Sequence, residues 1–291
     1  MEGSAAIEVE GLTKRYGSHV AVDGVSFSVG RGEAFGILGP NGAGKTTTLE
    51  MIEGLRKPDS GEITVLGENV WPDPRRIQGR IGVQLQTTSL FDMLTAQELL
   101  ELFARFYLRA DASEQARKAL AQVGLEAKGG DYAKNLSGGQ QQRLAIALAL
   151  VHDPEVVFLD EPTTGLDPQA RRNLWDVIRS INQEHGKTVV LTTHYLEEAE
   201  ELCERVAIMD EARIVALDTP AGLIDRLNAD ARVSYTDSAG DHAVYVRDAQ
   251  ATVLEVLEAA RTNGETVQNL AVKGADLEDV FLSLTGREYR E

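Results

Sequence analysis

The feature that most restricts what this chain can fold into is Gly39-Pro40-Asn41-Gly42-Ala43-Gly44-Lys45-Thr46, placed directly after the apolar run of residues 34–38 and continued by Thr47. Glycines let consecutive backbone N–H groups turn inward around phosphate oxygens, Lys45 supplies positive charge for the β and γ oxygens, and the Thr46 hydroxyl suits Mg²⁺. Such a loop works between the carboxyl end of a strand and the N-terminus of a helix, where unpaired N–H groups and the helix dipole favour an anion. A plain Gly-rich turn gives no reason for the buried strand before it or the helix after it. The segment therefore predicts an α/β sheet that binds its ligand at the strands' carboxyl edge.

A second apolar run, residues 156–159, ends in Asp160 and Glu161. A buried strand makes an ionised carboxylate costly unless it meets a cation, so Asp160 is expected to hold Mg²⁺ directly or through water. Alternation along the strand points Glu161 elsewhere, and its expected role is that of the general base that polarises the attacking water. Alone, the pair would read as a solvated acidic turn; below a phosphate loop it reads as the other half of a nucleotide site.

A third segment, Leu136-Ser137-Gly138-Gly139-Gln140-Gln141-Gln142-Arg143, opens a helix predicted to run through Leu150. Ser137 is a natural N-cap, and the two glycines leave backbone donors accessible at a terminus suited to anions.

This third segment resembles, residue for residue, the signature motif of the ATP-binding cassette (ABC) family, and the likeness covers about residues 7–227 with the motifs in the family's order. The resemblance implies ATP and Mg²⁺ as cofactors, with Gly39, Pro40, Asn41, Gly42, Ala43, Gly44, Lys45, Thr46 and Thr47 on the phosphates and Tyr16 stacked on adenine. Thr46, Asp160 and Gln86 would attend the metal, and Glu161, His194 and Gln86 would serve hydrolysis. Two cassettes would pair head to tail, so that Ser137, Gly138, Gly139 and Gln140 of one complete the γ-phosphate site of the other, with Asp167 in the loop that communicates between them. Pro168 suits the first turn of the helix after Asp167. In the family's glutamine loop Gln84 competes with Gln86, and the loop continues as Thr87-Thr88-Ser89 without the usual proline; Gln86 is expected to be the loop glutamine. His19, His152, His185 and His242 match no motif and read as ordinary histidines. Glu197, Glu198, Glu200 and Glu201 read as the solvated face of a helix.

Apolar runs at residues 25–29, 34–38, 156–159 and 189–193 look like strands buried on both faces. Helices dominate residues 94–151, where Thr95 and Glu98 form a capping box and residues 111–123 form an amphipathic stretch. Composition shifts again near Asn228, followed by strand-like residues 232–235 and 243–246 and a last helix whose Leu277, Val280, Phe281 and Leu284 share one stripe. The expected fold is α/β: a P-loop NTPase cassette over residues 1–228 with a mainly parallel core sheet, an antiparallel β subdomain and an α-helical insertion, then a small C-terminal α+β domain over 229–291. The subdomain layout is implied by the resemblance.

The formal net charge of −17 opposes nucleic acid and anionic membrane surfaces. The single cysteine, Cys203, allows no intramolecular disulfide and points to a reducing compartment. The longest apolar run, residues 144–151, falls short of the ~18 residues that cross a bilayer, and the first ten residues show no signal-peptide pattern. The expectation is a chain peripheral to the cytoplasmic face of the membrane, bound to a separate integral-membrane permease subunit and paired with a second cassette, expected to be an identical copy. Residues 276–288 resemble the tail of drug-resistance-type exporter ATPases, which favours export of drugs or other amphipathic compounds. The alternative is a soluble, non-transport ABC ATPase acting on ribosomes or DNA; such proteins carry paired cassettes, coiled-coil insertions or basic extensions, and the acidic charge argues against it.

Overall fold

The computed structural model describes residues 5–86, 90–107, 110–227 and 231–286. The chain divides into two compact units, Met1–Val215 and Ala216–Arg290. The division lies ahead of the composition shift near Asn228, because the helix Pro220–Asp225 packs against the last helix, Leu277–Thr285. Residues 228–230 themselves lie outside the described residues.

A six-stranded sheet runs in the order Arg213–Asp218, Arg205–Asp210, Ala34–Leu38, Thr188–Thr193, Val156–Asp160, Ile81–Gln84, and all but the first of these strands lie wholly in the first unit. Ala34–Leu38, Val156–Asp160 and Thr188–Thr193 are buried at every position, as their mainly apolar residues require of strands covered on both faces, with Asp160, Thr188, Thr192 and Thr193 the polar exceptions. They run parallel, with Leu38 beside Thr193 and Asp160 beside Thr192. This register brings the three carboxyl ends level, so the phosphate loop, Glu161 and His194 all leave the sheet at one edge.

Residues 25–29 depart from expectation. They belong to an antiparallel sheet, ordered His19–Gly30, Ala5–Tyr16, Ser60–Val65, Glu68–Asn69, in which Val25, Phe27 and Val29 are buried and Ser26 and Ser28 exposed. The two serines mark the solvent face of a one-sided strand.

The insertion folds as helices Ala96–Phe106, Ala112–Gln122 and Gly138–Leu150. Thr95 caps the first through a reciprocal capping box with Glu98, and Ala96, Leu99, Leu100 and Ala104 form its buried stripe. Gly138–Leu150 buries Leu144, Ala145, Ile146, Ala147, Ala149 and Leu150, too many for one stripe, because it packs on strands and on neighbouring helices at once.

The second unit is α+β. Ala231–Asp237 pairs antiparallel with Gly240–Val246 and with Gln268–Gly274, and the helix Ala249–Asn263 starts at Asp248, whose side chain accepts from the Ala251 N–H, and ends at left-handed Gly264. Two strands are expected here and three are found. Gln268–Gly274 is exposed along its length, so burial imposes no pattern on it. Among the described residues, no helix is long and apolar enough to cross a membrane.

Glu53 caps the carboxyl end of the helix Lys45–Ile52 and is 2% exposed. Burial, followed by the Asp160 and Glu50 charges, pushes its carboxyl up to about 8. A carboxyl raised on folding gives stability that is complete below the unfolded value and is lost as pH climbs through the folded one, here from about 4.5 to about 8. Glu53→Gln is therefore expected to stabilise the protein at pH 8 by on the order of a few kcal/mol and to change little at pH 5. Thermal unfolding of both proteins at the two pH values checks this; an equal shift at both would remove the ionisation argument.

Candidate functional site

The helix Lys45–Ile52 begins at Gly44, whose φ of 102° places it in the left-handed region, and a Cβ there would meet the Ala21 carbonyl oxygen at 2.3 Å. A Cβ on Gly39 would sit 2.3 Å from the Met209 carbonyl oxygen. Both positions thus exclude side chains. The helix has no side-chain cap among the described residues and no acid in its first turn, which leaves its leading N–H groups for an anion.

Lys45 is 4% exposed and folds back on its own loop, its Nζ donating to Gly39 O at 2.8 Å and Pro40 O at 3.3 Å, with Glu161 Oε1 at 3.2 Å. The Thr46 hydroxyl donates to Asp160 Oδ1 at 3.2 Å, and Thr192 donates to the same oxygen. Burial raises the Asp160 carboxyl, against the lowering effect of those two hydroxyls.

Glu161 leaves the strand through a left-handed turn of φ 46°, pinned by its N–H to Thr192 Oγ1 at 3.0 Å. This turn, rather than alternation along a strand, separates it from Asp160. A left-handed non-glycine residue costs on the order of 1–2 kcal/mol, a strain typical of functional positions. Its Oε2 accepts from Gln86 Nε2 at 3.2 Å and Thr164 Oγ1 at 3.3 Å. His194 Nδ1 lies 3.2 Å from the same oxygen, an ion-pair distance without hydrogen-bond alignment. Burial alone would lift the Glu161 carboxyl, but the charges of Lys45 and then His194 hold it below the ordinary glutamate value. Gln84 is buried and donates to Leu85 O at 2.6 Å, so Gln86 is the glutamine brought to Glu161. Thr87, Thr88 and Ser89 lie outside the described residues.

Lys45, Thr46, Gln86 and Glu161 line a cleft of about 310 Å³ together with Tyr16, Asn41, Gly42 and Thr47; Asp160 and His194 are not among its lining residues and reach it through Thr46 and Glu161. Tyr16 is 42% exposed, its ring flanked by the Arg56 guanidinium at 5.4 Å and Lys14 Nζ at 5.9 Å. His19 lines the cleft as well, which its lack of a motif did not suggest. The signal was the two-residue Gly17-Ser18 turn, which pairs His19 with Tyr16 across a hairpin.

Ser137, Gly138, Gly139 and Gln140 are not among the residues lining this cleft. Ser137 caps its helix, its hydroxyl accepting from the Gln140 N–H at 3.4 Å while Gln140 Oε1 accepts from the Ser137 N–H at 2.9 Å. Asp167 caps Pro168–Gln183, accepting from the N–H groups of Gln169 at 3.0 Å and Ala170 at 2.9 Å, with Pro168 in the first turn. The two helix starts adjoin, since a Cβ on Gly139 would lie 3.1 Å from that of Ala170.

The acidic run is corrected at one position: Glu198 is 0% exposed, and its Oε1 accepts from Trp175 Nε1 at 3.0 Å.

A phosphate loop at the carboxyl edge of a parallel sheet, with an acidic strand end beside it and a helical insertion opening on a Ser-capped glycine pair, defines a P-loop ATPase cassette. Residues 22–164 match the ABC transporter family. The Nod factor export ATP-binding protein I of Ralstonia nicotianae is 40% identical, over 98% of this chain and 95% of that one. The linearmycin resistance ATP-binding protein LnrL of Bacillus subtilis is 36% identical over 98% and 100%. A bacterial ABC transporter cassette solved as a dimer superposes with a TM-score of 0.67 at 31% identity, covering 73% of this chain and 98% of that one. The chain belongs to the ATP-binding subunits of ABC transporters, and it binds and hydrolyses ATP.

Proposed function

We propose that this chain powers an exporter of drugs or other amphipathic compounds through a separate membrane subunit, and that it acts as a head-to-tail pair of cassettes enclosing two ATP molecules. The observation that carries the pairing is the Ser-capped, glycine-paired start of the helix Gly138–Leu150: a second terminus suited to an anion, whose residues are not among those lining the chain's own phosphate cleft. A dimeric cassette structure with ADP and Pi, at 31% identity and TM-score 0.66, supports the same reading.

Thr46 Oγ1 and Asp160 Oδ1, 3.2 Å apart, are hard oxygen donors, and burial holds the Asp160 carboxyl above its ordinary value, so the pair fits Mg²⁺, with Gln86 lining the same cleft as Thr46. When bound, the ion supplies neutralisation of charge on the phosphate oxygens. Lys45 exchanges its loop carbonyls for the β and γ oxygens; Glu161, released from Lys45, takes the proton of the attacking water; His194 and Gln86 hold the Glu161 carboxylate in place. Tyr16 stacks on the base, and Asp167 orders the turn that faces the second cassette.

A cleft of about 420 Å³, lined by Leu85, Phe103, Phe106 and Tyr107 with Glu53 among its walls, lies between the helical insertion and the residues preceding Gln86 and suits the membrane subunit. Docking there makes the chain peripheral to the cytoplasmic face of the membrane. The export direction follows the two relatives, named for Nod factor export and linearmycin resistance. Residues 229–291 act as an accessory domain.

Gly138→Asp tests the pairing. A Cβ at Gly138 meets nothing within 4 Å, so the fold tolerates the change, yet the new carboxylate repels the γ-phosphate of the opposite chain. ATP-dependent dimerisation should disappear by sedimentation, with ATP affinity of the monomer within about 3-fold, since each 1.4 kcal/mol is tenfold. A dimer that persists would end the head-to-tail reading. Solubilising the tagged chain from its own membranes tests the transport reading: a co-purifying membrane protein that stimulates ATP hydrolysis supports it, and ribosome or DNA association in its place rejects it.

A further inference from the structure

Glu198 is fully buried in the first unit and is not among the residues lining the ATP cleft. Beyond the Trp175 contact to Oε1, its Oε2 has no formed hydrogen bond among the described residues; neither do the Thr163 hydroxyl and Arg171 Nε. Thr163, Thr193 and Arg171 lie near enough to act on the Glu198 carboxyl, and Trp175 bonds to it directly. Burial raises the Glu198 carboxyl, while the hydroxyls of Thr193 and Thr163, the Trp175 indole and the Arg171 charge draw it back.

Each neighbour belongs to a segment that carries part of the hydrolytic site. Thr163 sits in the turn begun by Glu161, and the next residue, Thr164, donates to Glu161 Oε2 at 3.3 Å. Thr193 precedes His194, and its hydroxyl accepts from the Tyr195 N–H at 2.9 Å. Trp175 and Arg171 lie on the helix that Asp167 caps, and the Arg171 guanidinium stands 3.8 Å over the Tyr195 ring. A buried carboxyl costs desolvation that a leucine at position 198 avoids, so packing gives no account of it. Buried polar networks instead select one geometry among several that an apolar core would accept.

We propose that Glu198 is a positioning residue for ATP hydrolysis, joining the Glu161 turn, the His194 turn and the Asp167 helix in one register so that His194 stays against Glu161. The inference rests on the roles proposed above for Glu161 and His194.

The test compares ATP hydrolysis, ATP affinity and thermal unfolding of the full chain carrying Glu198→Ala, Glu198→Gln or Trp175→Phe, each alone and with His194→Ala. Glu198→Ala should lower kcat roughly 10-fold or more with KM and ATP affinity within about 2-fold. Glu198→Gln, which keeps an acceptor for Trp175 and offers a donor to the threonines, should recover to within about 3-fold of wild type. Added to His194→Ala, Glu198→Ala should cost less than about 2-fold more, because both changes act through one residue. Wild-type kcat in a folded Glu198→Ala protein, or losses that multiply with His194→Ala, overturns the proposal. If Glu198→Ala does not fold, Trp175→Phe is read the same way: lower kcat at unchanged KM supports it and wild-type kcat overturns it. Full turnover in both Glu161→Gln and His194→Ala would fail the site reading and take this inference with it, an outcome distinct from one in which only Glu198→Ala is silent.

Discussion

Glu161→Gln is expected to lower ATP turnover by about 10²- to 10⁴-fold, the range that a positioned general base supplies, while ATP still binds. The substitution keeps the shape of the side chain and removes its capacity to take a proton. Amide geometry still serves Gln86 and Thr164, which approach Oε2 at 3.2 and 3.3 Å. Lys45, 3.2 Å from Oε1, loses its anionic partner and becomes freer to meet the phosphates, so ATP affinity should hold or rise. With hydrolysis blocked, the pair of cassettes should accumulate as an ATP-bound dimer. Phosphate release together with sedimentation in ATP measures both effects. Undiminished turnover would remove Glu161 as the base and return the role to another group in the cleft.

Lys45→Ala should weaken ATP binding by about 100-fold and bring hydrolysis below detection, since charge-assisted hydrogen bonds contribute about 2–3 kcal/mol and each 1.4 kcal/mol is tenfold. A second effect comes from the ligand-free protein. Lys45 and Glu161 are a buried pair, with side chains 4% and 5% exposed, and removing one partner leaves the other uncompensated, a change that costs about 3–5 kcal/mol where the pair is fully enclosed. Because the cleft is open to solvent at Tyr16, the lower end is expected. Lys45→Ala with Glu161→Gln should therefore be more stable than Lys45→Ala alone. Calorimetric ATP titration and thermal unfolding of the four proteins decide the matter: a single variant as stable as the double would show that the pair carries no folding energy.

Much of this site was legible before any fold was seen, because its parts are short local devices. Ser137 as an N-cap and Thr95 with Glu98 as a capping box are read from spacing alone, and both form, with Gln140 completing a box at Ser137 beyond the expected N-cap. The phosphate loop needs only a strand before it and a helix after it, both visible in residues 34–52. What escaped were consequences of packing. Glu198 reads as one of four solvated acids until the fold closes Trp175 over it. Residues 25–29 carry the same valines and phenylalanine as a core strand, and only the sheet they join decides that one face is wet. In the accessory unit, Gln268–Gly274 and Ala249–Asn263 bury almost nothing, so no periodicity announces them.

Which residues can surround a phosphate, hold a hard cation, take a proton or cap a helix follows from residue type and a spacing of a few positions. Which of them meet depends on the fold. Leu38, Asp160 and Thr193 lie on strands far apart in the chain, and parallel pairing in one register sets Lys45, Glu161 and His194 within 3.2 Å contacts. The Ser137 side chain is turned instead to its own helix start, where its hydroxyl accepts from the Gln140 N–H. The physical reason is that spacing acts over one or two turns of chain, whereas register among distant strands is set by the burial of all of them together.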